Sequence, residues 1–284
     1  NQRRNMPDWL DTAAPSLPRF LKKAGYATAH YGKWHLANDM IPDSPFPSAY
    51  GYDDYGSYNC SGPQMFVHDD VKSAIPFMKK SKESDKPFFI NLWIHEPHTP
   101  FHVDPKLQKL FPDLPEADNI YAATLYHADL RIGQLLDALD EMKISDNTLV
   151  IFSSDNGPAR GSPNSPITLS YDSATGPGYG IGAAKGITGG RRAFKGALME
   201  GGIGVPFIAR WPGKIAAGKV DKTSVLSAVD LLPTFCELGN VKLPKSYRPD
   251  GMSQVSALMG KGNPLRKKPI FWRMSAPWPA NESK

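Results

Sequence analysis

Lys33 and His35 stand two residues apart in Tyr31-Gly32-Lys33-Trp34-His35, where a short strand is predicted to end. On extended backbone that spacing puts both side chains on one face. An ammonium there fixes a point charge on an oxyanion, and an imidazole moves a proton beside it. A surface turn would use the same Gly-Lys pair, so the segment acquires meaning from its company. Three further polar clusters suit the same kind of ligand.

The first is His95-Glu96-Pro97-His98-Thr99-Pro100, directly after an apolar run. Its two prolines restrict the backbone, so the imidazoles are held in place, and a held histidine can act as general acid toward a leaving-group oxygen. A Pro-rich connector with solvent-facing histidines is the alternative. Zinc fits this pair less well, because two histidines three apart need further ligands. The second cluster is Ser153-Ser154-Asp155-Asn156-Gly157. Asp155 and Asn156 offer a carboxylate and an amide carbonyl, hard oxygen donors suited to Ca²⁺ or Mg²⁺. Asp-Asn-Gly is also a turn sequence, but a hairpin needs a partner strand next, and a long Gly/Pro/Ser loop follows instead. The third cluster is Phe194-Lys195-Gly196-Ala197-Leu198-Met199-Glu200-Gly201-Gly202, preceded by Arg191-Arg192. Glycines around one lysine let backbone approach a ligand while the lysine supplies charge; taken alone, a solvated basic turn is the stronger reading of this segment.

The elements that position these clusters alternate. A helix opens at Pro15-Ser16-Leu17 and closes at Gly25, and a strand over Tyr26 to Tyr31 delivers Lys33 and His35. Residues 36–68 read as loop, and a helix around Val71 to Lys80 is weakened by Pro76. Pro87 to Ile94 is continuously apolar, as for a strand buried on both faces. Ala122, Leu125, Asp129, Ile132, Leu136, Leu139 and Met142 recur at helical spacing within Glu116 to Met142. Thr148 to Ser154 and Val205 to Arg210 read as further buried strands, Asp230 to Leu238 as an amphipathic helix ending at Gly239, and Pro269 to Arg273 as the start of another strand. Alternating strands and helices predict an α/β fold with a mostly parallel sheet covered on both faces. Chemistry in such sheets gathers beyond the carboxyl ends of the strands, where Lys33, His35, His98 and Asp155 all fall.

The chain has 284 residues, 40% hydrophobic and 21% charged, with 27 prolines and 25 glycines, which fits a globular protein with long shaped loops. A net charge of +5 suits a small anionic substrate, and no basic run interleaved with aromatics points to nucleic acid. No apolar run reaches the ~18 residues of a membrane span. Cys60 and Cys236 give neither a disulfide framework nor a thiolate metal site, and Cys236 reads as core. The oligomeric state is not legible.

In order, Gly-Lys-Trp-His, His-x-Pro-His-x-Pro, Ser-Asp-Asn-Gly and Lys-Gly-x-x-x-Glu-Gly-Gly resemble the sulfatase family of the alkaline phosphatase superfamily. The flanks Leu21-Lys22-Lys23-Ala24-Gly25-Tyr26, Ser227-Ala228-Val229-Asp230-Leu231-Leu232-Pro233-Thr234 and Asp250-Gly251-Met252-Ser253 resemble it too. The resemblance implies an alkaline-phosphatase-like three-layer sandwich, with a catalytic core over 1–265 and the start of a truncated C-terminal subdomain over 266–284. It implies a formylglycine-dependent hydrolase of sulfate esters, acting on a sulfated carbohydrate or aryl sulfate and periplasmic or secreted. Lys33 and Lys195 would bind sulfate oxygens and the leaving oxygen. His35 would support the formylglycine hydroxyls and act as base in the second step, and His98 would protonate the departing alcohol oxygen. Asp155 and Asn156 would supply half of a Ca²⁺ site, and His95, Arg160 and Arg192 further substrate contacts. Tyr50, Tyr52, Tyr55, Tyr58 and Tyr171 would suit stacking on sugar rings.

The family's nucleophile motif, Cys/Ser-x-Pro-x-Arg, is not met. Cys60-Ser61-Gly62-Pro63 and Cys236-Glu237-Leu238-Gly239 do not fit it, and Ser16-Leu17-Pro18-Arg19 has its arginine one position early. The family's paired metal-binding aspartates also precede its Gly-Lys-Trp-His segment, so the chain is expected to start after both, and to be inactive as it stands. A phosphonate or phosphate ester hydrolase of the same superfamily, or a non-catalytic relative that kept the pocket, are the competing readings.

Overall fold

The computed structural model describes residues 8–36, 41, 43–59, 65–162, 164–168, 170–172 and 175–273. In chain order the regular elements begin with α1 (Leu17–Lys23), β1 (Ala27–Gly32), β2 (Asp54–Ser57), α2 (Asp70–Glu83), β3 (Phe88–Trp93), α3 (Pro105–Gln108) and α4 (Glu116–Glu141). They continue with β4 (Val150–Ser153), β5 (Ser170–Asp172), β6 (Gly176–Gly178), α5 (Glu200–Ile203), β7 (Phe207–Arg210), α6 (Leu231–Leu238) and α7 (Val255–Leu258).

Helix α1 starts with Pro18 in its first turn, where a missing N–H costs nothing, and carries Lys22 and Lys23 in its last, favourable to its dipole. Gly25, at φ +92°, turns the chain into β1. Strand β1 is the spine of the molecule. It pairs in parallel with β2 on one side and β3 on the other, giving the order β2-β1-β3. Its residues alternate between two covered faces. Ala29 and Tyr31 pack on Ala74 and Phe77 of α2, with Phe88, Ile90 and Leu92 of β3 beside them, and Met78 carries that layer on to Ala138 and Leu139 of α4. The opposite face meets α1 and α6, with Phe89 against the Phe235 ring at 6.3 Å. Helices on both sides of a parallel sheet make the three layers that the alternating sequence pattern predicts.

Several expected elements change. Strand β2 lies inside the segment read as loop, because Asp54-Tyr55-Gly56-Ser57 carries no apolar alternation; β1 recruits it by hydrogen bonding. Helix α2 runs straight through Pro76, since Val71, Ala74, Phe77 and Met78 are all buried along it and packing outweighs one lost hydrogen bond. Strand β3 is half-buried rather than buried on both faces, being an edge strand of the described sheet, with Trp93 41% exposed. Likewise β4 is only partly covered, and it pairs antiparallel with β7 as a separate two-stranded ladder. Residues 269–273 form no strand. Strands β5 and β6 make a small antiparallel pair in the long loop before Lys195.

The two late segments that carry the family resemblance pack on each other. Asp230 is fully buried, accepts from the Ser227 and Met252 N–H groups at 2.9 Å each, and binds Arg266 through Nη1 at 3.0 Å and Nη2 at 2.5 Å. Arg266, just past the boundary expected at 265, is thereby tied into the core. Ser16 begins α1 as expected, and Arg19 serves structure by donating to the Ala14 and Ala49 carbonyls. Cys236 is buried, its thiol pushed up to about 11 by burial. Cys60-Ser61-Gly62-Pro63 lies outside the described residues.

Gly32 ends β1 at φ +100°, and a Cβ there would sit 2.0 Å from the Trp93 carbonyl oxygen. Backbone cannot yield cheaply to such a clash, and the left-handed conformation adds its own cost. Gly32→Ala is expected to lower unfolding free energy by at least ~2 kcal/mol in urea titrations; a midpoint within error of wild type would show that the β1–β3 junction tolerates a side chain.

Candidate functional site

Lys33-Trp34-His35 leaves the sheet through a set of anchors that the sequence did not disclose. The Lys33 N–H donates to the Trp93 carbonyl at 2.8 Å. The Lys33 carbonyl accepts from His30 Nε2 at 2.9 Å, and His30 Nδ1 lies 3.3 Å from Asn91 Nδ2. A carbonyl only accepts, so Nε2 carries the hydrogen and Nδ1 accepts from the amide: the ring is satisfied as the neutral form. Burial pushes the His30 pKa down to about 4. Asn59 clamps the next residue, accepting the Trp34 N–H at 2.6 Å and donating to the Trp34 carbonyl. Trp34 is 1% exposed and packs among His30, Tyr50 and Tyr52. A rigid, buried tryptophan thus sits between a half-buried lysine and an exposed histidine.

At the end of β3 the His95-to-Pro100 segment folds back on itself. The His98 N–H donates to the His95 carbonyl at 2.9 Å, and His98 Nδ1 donates to the Thr99 carbonyl at 2.6 Å. Nε2 of His98 is therefore the nitrogen left to gain or lose a proton. His95 is 5% exposed and its Nε2 donates to the Pro100 carbonyl at 2.9 Å; burial pushes its pKa down to about 4.

The other two clusters interlock through backbone. The Gly157 N–H donates to the Gly202 carbonyl at 2.8 Å, Lys195 N–H to the Pro158 carbonyl at 2.9 Å, and Gly201 N–H to the Arg192 carbonyl at 2.7 Å. The approach is so close that a Cβ on Gly157 would lie 1.9 Å from the Gly201 oxygen. This is why the sequence places glycine at both ends of the contact. The Asn156 amide nitrogen donates to the Gly157 carbonyl at 2.9 Å, so its Oδ1 is the atom that could serve as a ligand together with the Asp155 carboxylate. Two hard oxygens at a strand end fit a Ca²⁺ ion as part of its six to eight ligands.

Lys33, His35, His98, Asp155 and Lys195 come from four separate stretches of chain and share one electrostatic field. The His35 side chain is exposed overall but partly desolvated, which lowers its pKa; the Lys33 and Lys195 ammonium groups lower it further, and the Asp155 carboxylate opposes them. His98 is lowered by burial, then by Lys33 and Lys195, while its bond to Thr99 and the Asp155 charge pull the other way. Both rings feel the same two cations and the same anion.

Arg160 lies with its guanidinium 5.3 Å from the centroid of the Phe194 ring, next to Lys195, and it lines a 430 Å³ cavity with Lys185 and Phe194. Arg192 is exposed, and its carbonyl is the one held by Gly201. His95, expected to touch substrate, lies in the interior with Nε2 engaged. The expected tyrosine platform is corrected. Tyr50, Tyr52 and Tyr58 are buried, and the Tyr50 hydroxyl donates to the Leu10 carbonyl. Tyr50 and Tyr52 pack with Trp34 in one core cluster, and the Tyr58 ring meets His95 at 5.7 Å. Tyr55 stacks on Phe46 at 6.5 Å.

A family model for sulfatases matches residues 3–241. The chain belongs to the sulfatase family. It is 28% identical to the N-acetylgalactosamine-6-sulfatase of Canis lupus familiaris over 90% of this chain and 50% of that protein. It is 27% identical to the arylsulfatase G of Rattus norvegicus over 87% and 53%. The chain thus spans about half the length of these curated relatives. Among solved structures, Ps i-CgsB in complex with k-i-k-neocarrahexaose superposes with a TM-score of 0.71 at 25% identity, over 91% of this chain and 62% of that one. The alkaline-phosphatase-like α/β fold of this sulfatase-family chain agrees with that superposition.

His30 and His95 make stability depend on pH. Both are held neutral by burial, with pKa values of about 4 against 6.5 for a free ring. A depressed histidine contributes fully above pH ~6.5 and loses its contribution as pH falls toward ~4, because only the unfolded ring takes up the proton. Each displacement corresponds to something on the order of 3 kcal/mol. Urea unfolding is expected to show stability falling by several kcal/mol between pH ~7 and ~4.5, and His30→Gln is expected to flatten that slope by about half. A slope that His30→Gln leaves unaltered would contradict the neutral-ring assignment.

Proposed function

We propose that this chain supplies the anion-binding and proton-transfer half of a sulfate ester hydrolase acting on a sulfated carbohydrate. The observation that carries the reading is the common field of Lys33 and Lys195 on His35 and His98. Two fixed cations beside two imidazoles stabilise negative charge developing on a tetrahedral oxyanion as its ester bond breaks. The family membership narrows that oxyanion to sulfate, and the carbohydrate is suggested by N-acetylgalactosamine-6-sulfatase and by the oligosaccharide bound to Ps i-CgsB.

In this reading Lys33 and Lys195 hold the sulfate oxygens, and Lys195 also faces the bridging oxygen. His98 keeps Nδ1–H on the Thr99 carbonyl and delivers a proton from Nε2 to the departing alcohol oxygen. Its lowered pKa has a purpose here. Burial, and then the two lysines, lower the proton affinity of His98, and a bound dianion would offset the lysine charges and raise it again when substrate is present. His35 removes a proton in the step that releases sulfate. Asp155 and Asn156 would supply part of a Ca²⁺ site, and the ion would add positive charge to that of the lysines. Arg160 and Arg192 line the approach on the Lys195 side and contact the anionic sugar, while His95 supports His98 from below. A formylglycine supplies the attacking oxygen in sulfatases, and these 284 residues hold no Cys/Ser-x-Pro-x-Arg segment from which to make one. The protein acts in the periplasm or outside the cell.

Two measurements test this. Assayed with an aryl sulfate and with sulfated saccharides, the full-length protein is expected to turn over, and Lys195→Ala to reduce kcat/KM by ~100-fold or more, as for loss of one oxyanion-stabilising group; an unchanged rate would remove Lys195 from the site. The 284-residue chain alone is expected to show no turnover of the same substrates, and detectable hydrolysis by it would overturn the assignment of the attacking group. Phosphate or phosphonate esters outrunning sulfate esters would favour the phosphorus-directed members of the superfamily.

A further inference from the structure

Five of the seven histidines stand in one continuous series of ring contacts. His98 meets His95 at 5.8 Å between centroids, His95 meets His102 at 5.4 Å, His102 meets His68 at 5.9 Å, and His68 meets His127 at 4.6 Å. The series begins at the sulfate-binding end and finishes on the far side of Glu96, where β3, the loop before α2 and the long α4 come together. The arrangement at that far end does not belong to the site described above.

Glu96 is the centre of it. One of its oxygens, Oε2, is held by Arg131 Nη2, and the other guanidinium branch holds Asp70 Oδ1. The Glu96 side chain is 1% exposed and Arg131's 6%, so the carboxylate is fixed in orientation by a buried guanidinium. Its second oxygen, Oε1, is buried and points at two imidazole nitrogens: His68 Nε2 at 3.0 Å and His127 Nδ1 at 3.8 Å. The distances are those of ion pairs that hold only when a ring is protonated; neither contact meets the angular requirement of a hydrogen bond, so with neutral rings the three buried atoms lack a partner. A buried carboxylate oxygen and two ring nitrogens that face one another unsatisfied are costly unless something sits between them. The three atoms lie within 4.8 Å of one another. Ligands of a tetrahedral Zn²⁺ at 2.0–2.1 Å stand roughly 3.3 Å apart, so small side-chain rotations suffice.

We propose that His68 Nε2, Glu96 Oε1 and His127 Nδ1 bind a divalent transition metal ion of the Zn²⁺ class. Two imidazoles with one carboxylate select Zn²⁺ and its neighbours over Ca²⁺ and Mg²⁺, which take all-oxygen shells. Three protein donors leave the fourth position open toward a cavity of 610 Å³ lined by His68, His102, Asp104, His127 and Tyr179. The Arg131 bond to Oε2 is the kind of outer contact that orients a ligating carboxylate. Because Glu96 lies two residues before His98, a metal ion here would also stiffen the turn that presents His98.

Zn²⁺ titrated into the metal-free full-length protein, against a chromogenic chelator and with Ca²⁺ in excess, tests this directly. One equivalent is expected to bind with Kd tighter than ~10 µM. His68→Gln and His127→Gln are each expected to weaken it at least tenfold, while Asp155→Ala leaves it unchanged. Co²⁺ in place of Zn²⁺ is expected to give the intense visible absorption of a four- or five-coordinate ion, lost in both glutamine variants. Wild-type binding weaker than ~10 µM, or binding that both glutamine variants retain, would overturn the proposal. The two histidines come from different segments, so either variant that keeps a native near-UV circular dichroism spectrum carries the test. Sulfate ester turnover is read separately, so failure here leaves the hydrolase reading intact.

Discussion

Two lysine ammonium groups acting on the same two histidines is the constraint around which the rest is built. Like charges brought together repel, and after burial, the larger cause, the charges of Lys33 and Lys195 push the proton affinities of His35 and His98 in the same downward direction. Side chains on flexible stems would separate if their backbones allowed it. They do not: Lys33 is held by its N–H on Trp93 and its carbonyl on His30, and Lys195 by its N–H on Pro158. In the proposed reading an oxyanion bound there would offset the two lysine charges, which is the condition for binding energy to grow as negative charge develops.

That positioning rests on two kinds of local device. At the end of β1 it is a buried polar layer in which His30, Asn91 and Asn59 satisfy backbone around Trp34. On the opposite wall it is glycine: Gly157 and Gly201 let two backbones meet where a single Cβ would separate them. Both devices fix lysines through their main chain. The three-layer packing behind them, Ala29 and Tyr31 on α2 and Phe89 toward α6, keeps the strand ends in register.

Much of this was legible in the sequence. The helical repeat of α4, the apolar run of β3 and the order of four short polar motifs identified the elements and the residues that share a field. What escaped did so for physical reasons. Strand β2 is polar and exists through pairing with β1, which no local pattern records. The tyrosines of the loop before it read as a sugar platform because burial by distant segments is not a local property; Tyr50 and Tyr52 instead floor the Trp34 pocket. His30 was hidden as one letter in a strand, though its alternation with Ala29 and Tyr31 put it on the face of Lys33's anchor. His68 and His127 had no spacing to reveal them, since a fold brings them to Glu96 from opposite flanks of β3.

The common field can be observed without catalysis. Histidine nitrogen resonances followed through pH titrations, with and without inorganic sulfate, report His35 and His98 separately. The account predicts that saturating sulfate raises the pKa of both rings together, at one binding constant, and that replacing Lys33 by Met weakens binding and lowers both responses. Sulfate that moves one ring and not the other, or that binds as well without the Lys33 charge, would contradict a single shared anion site.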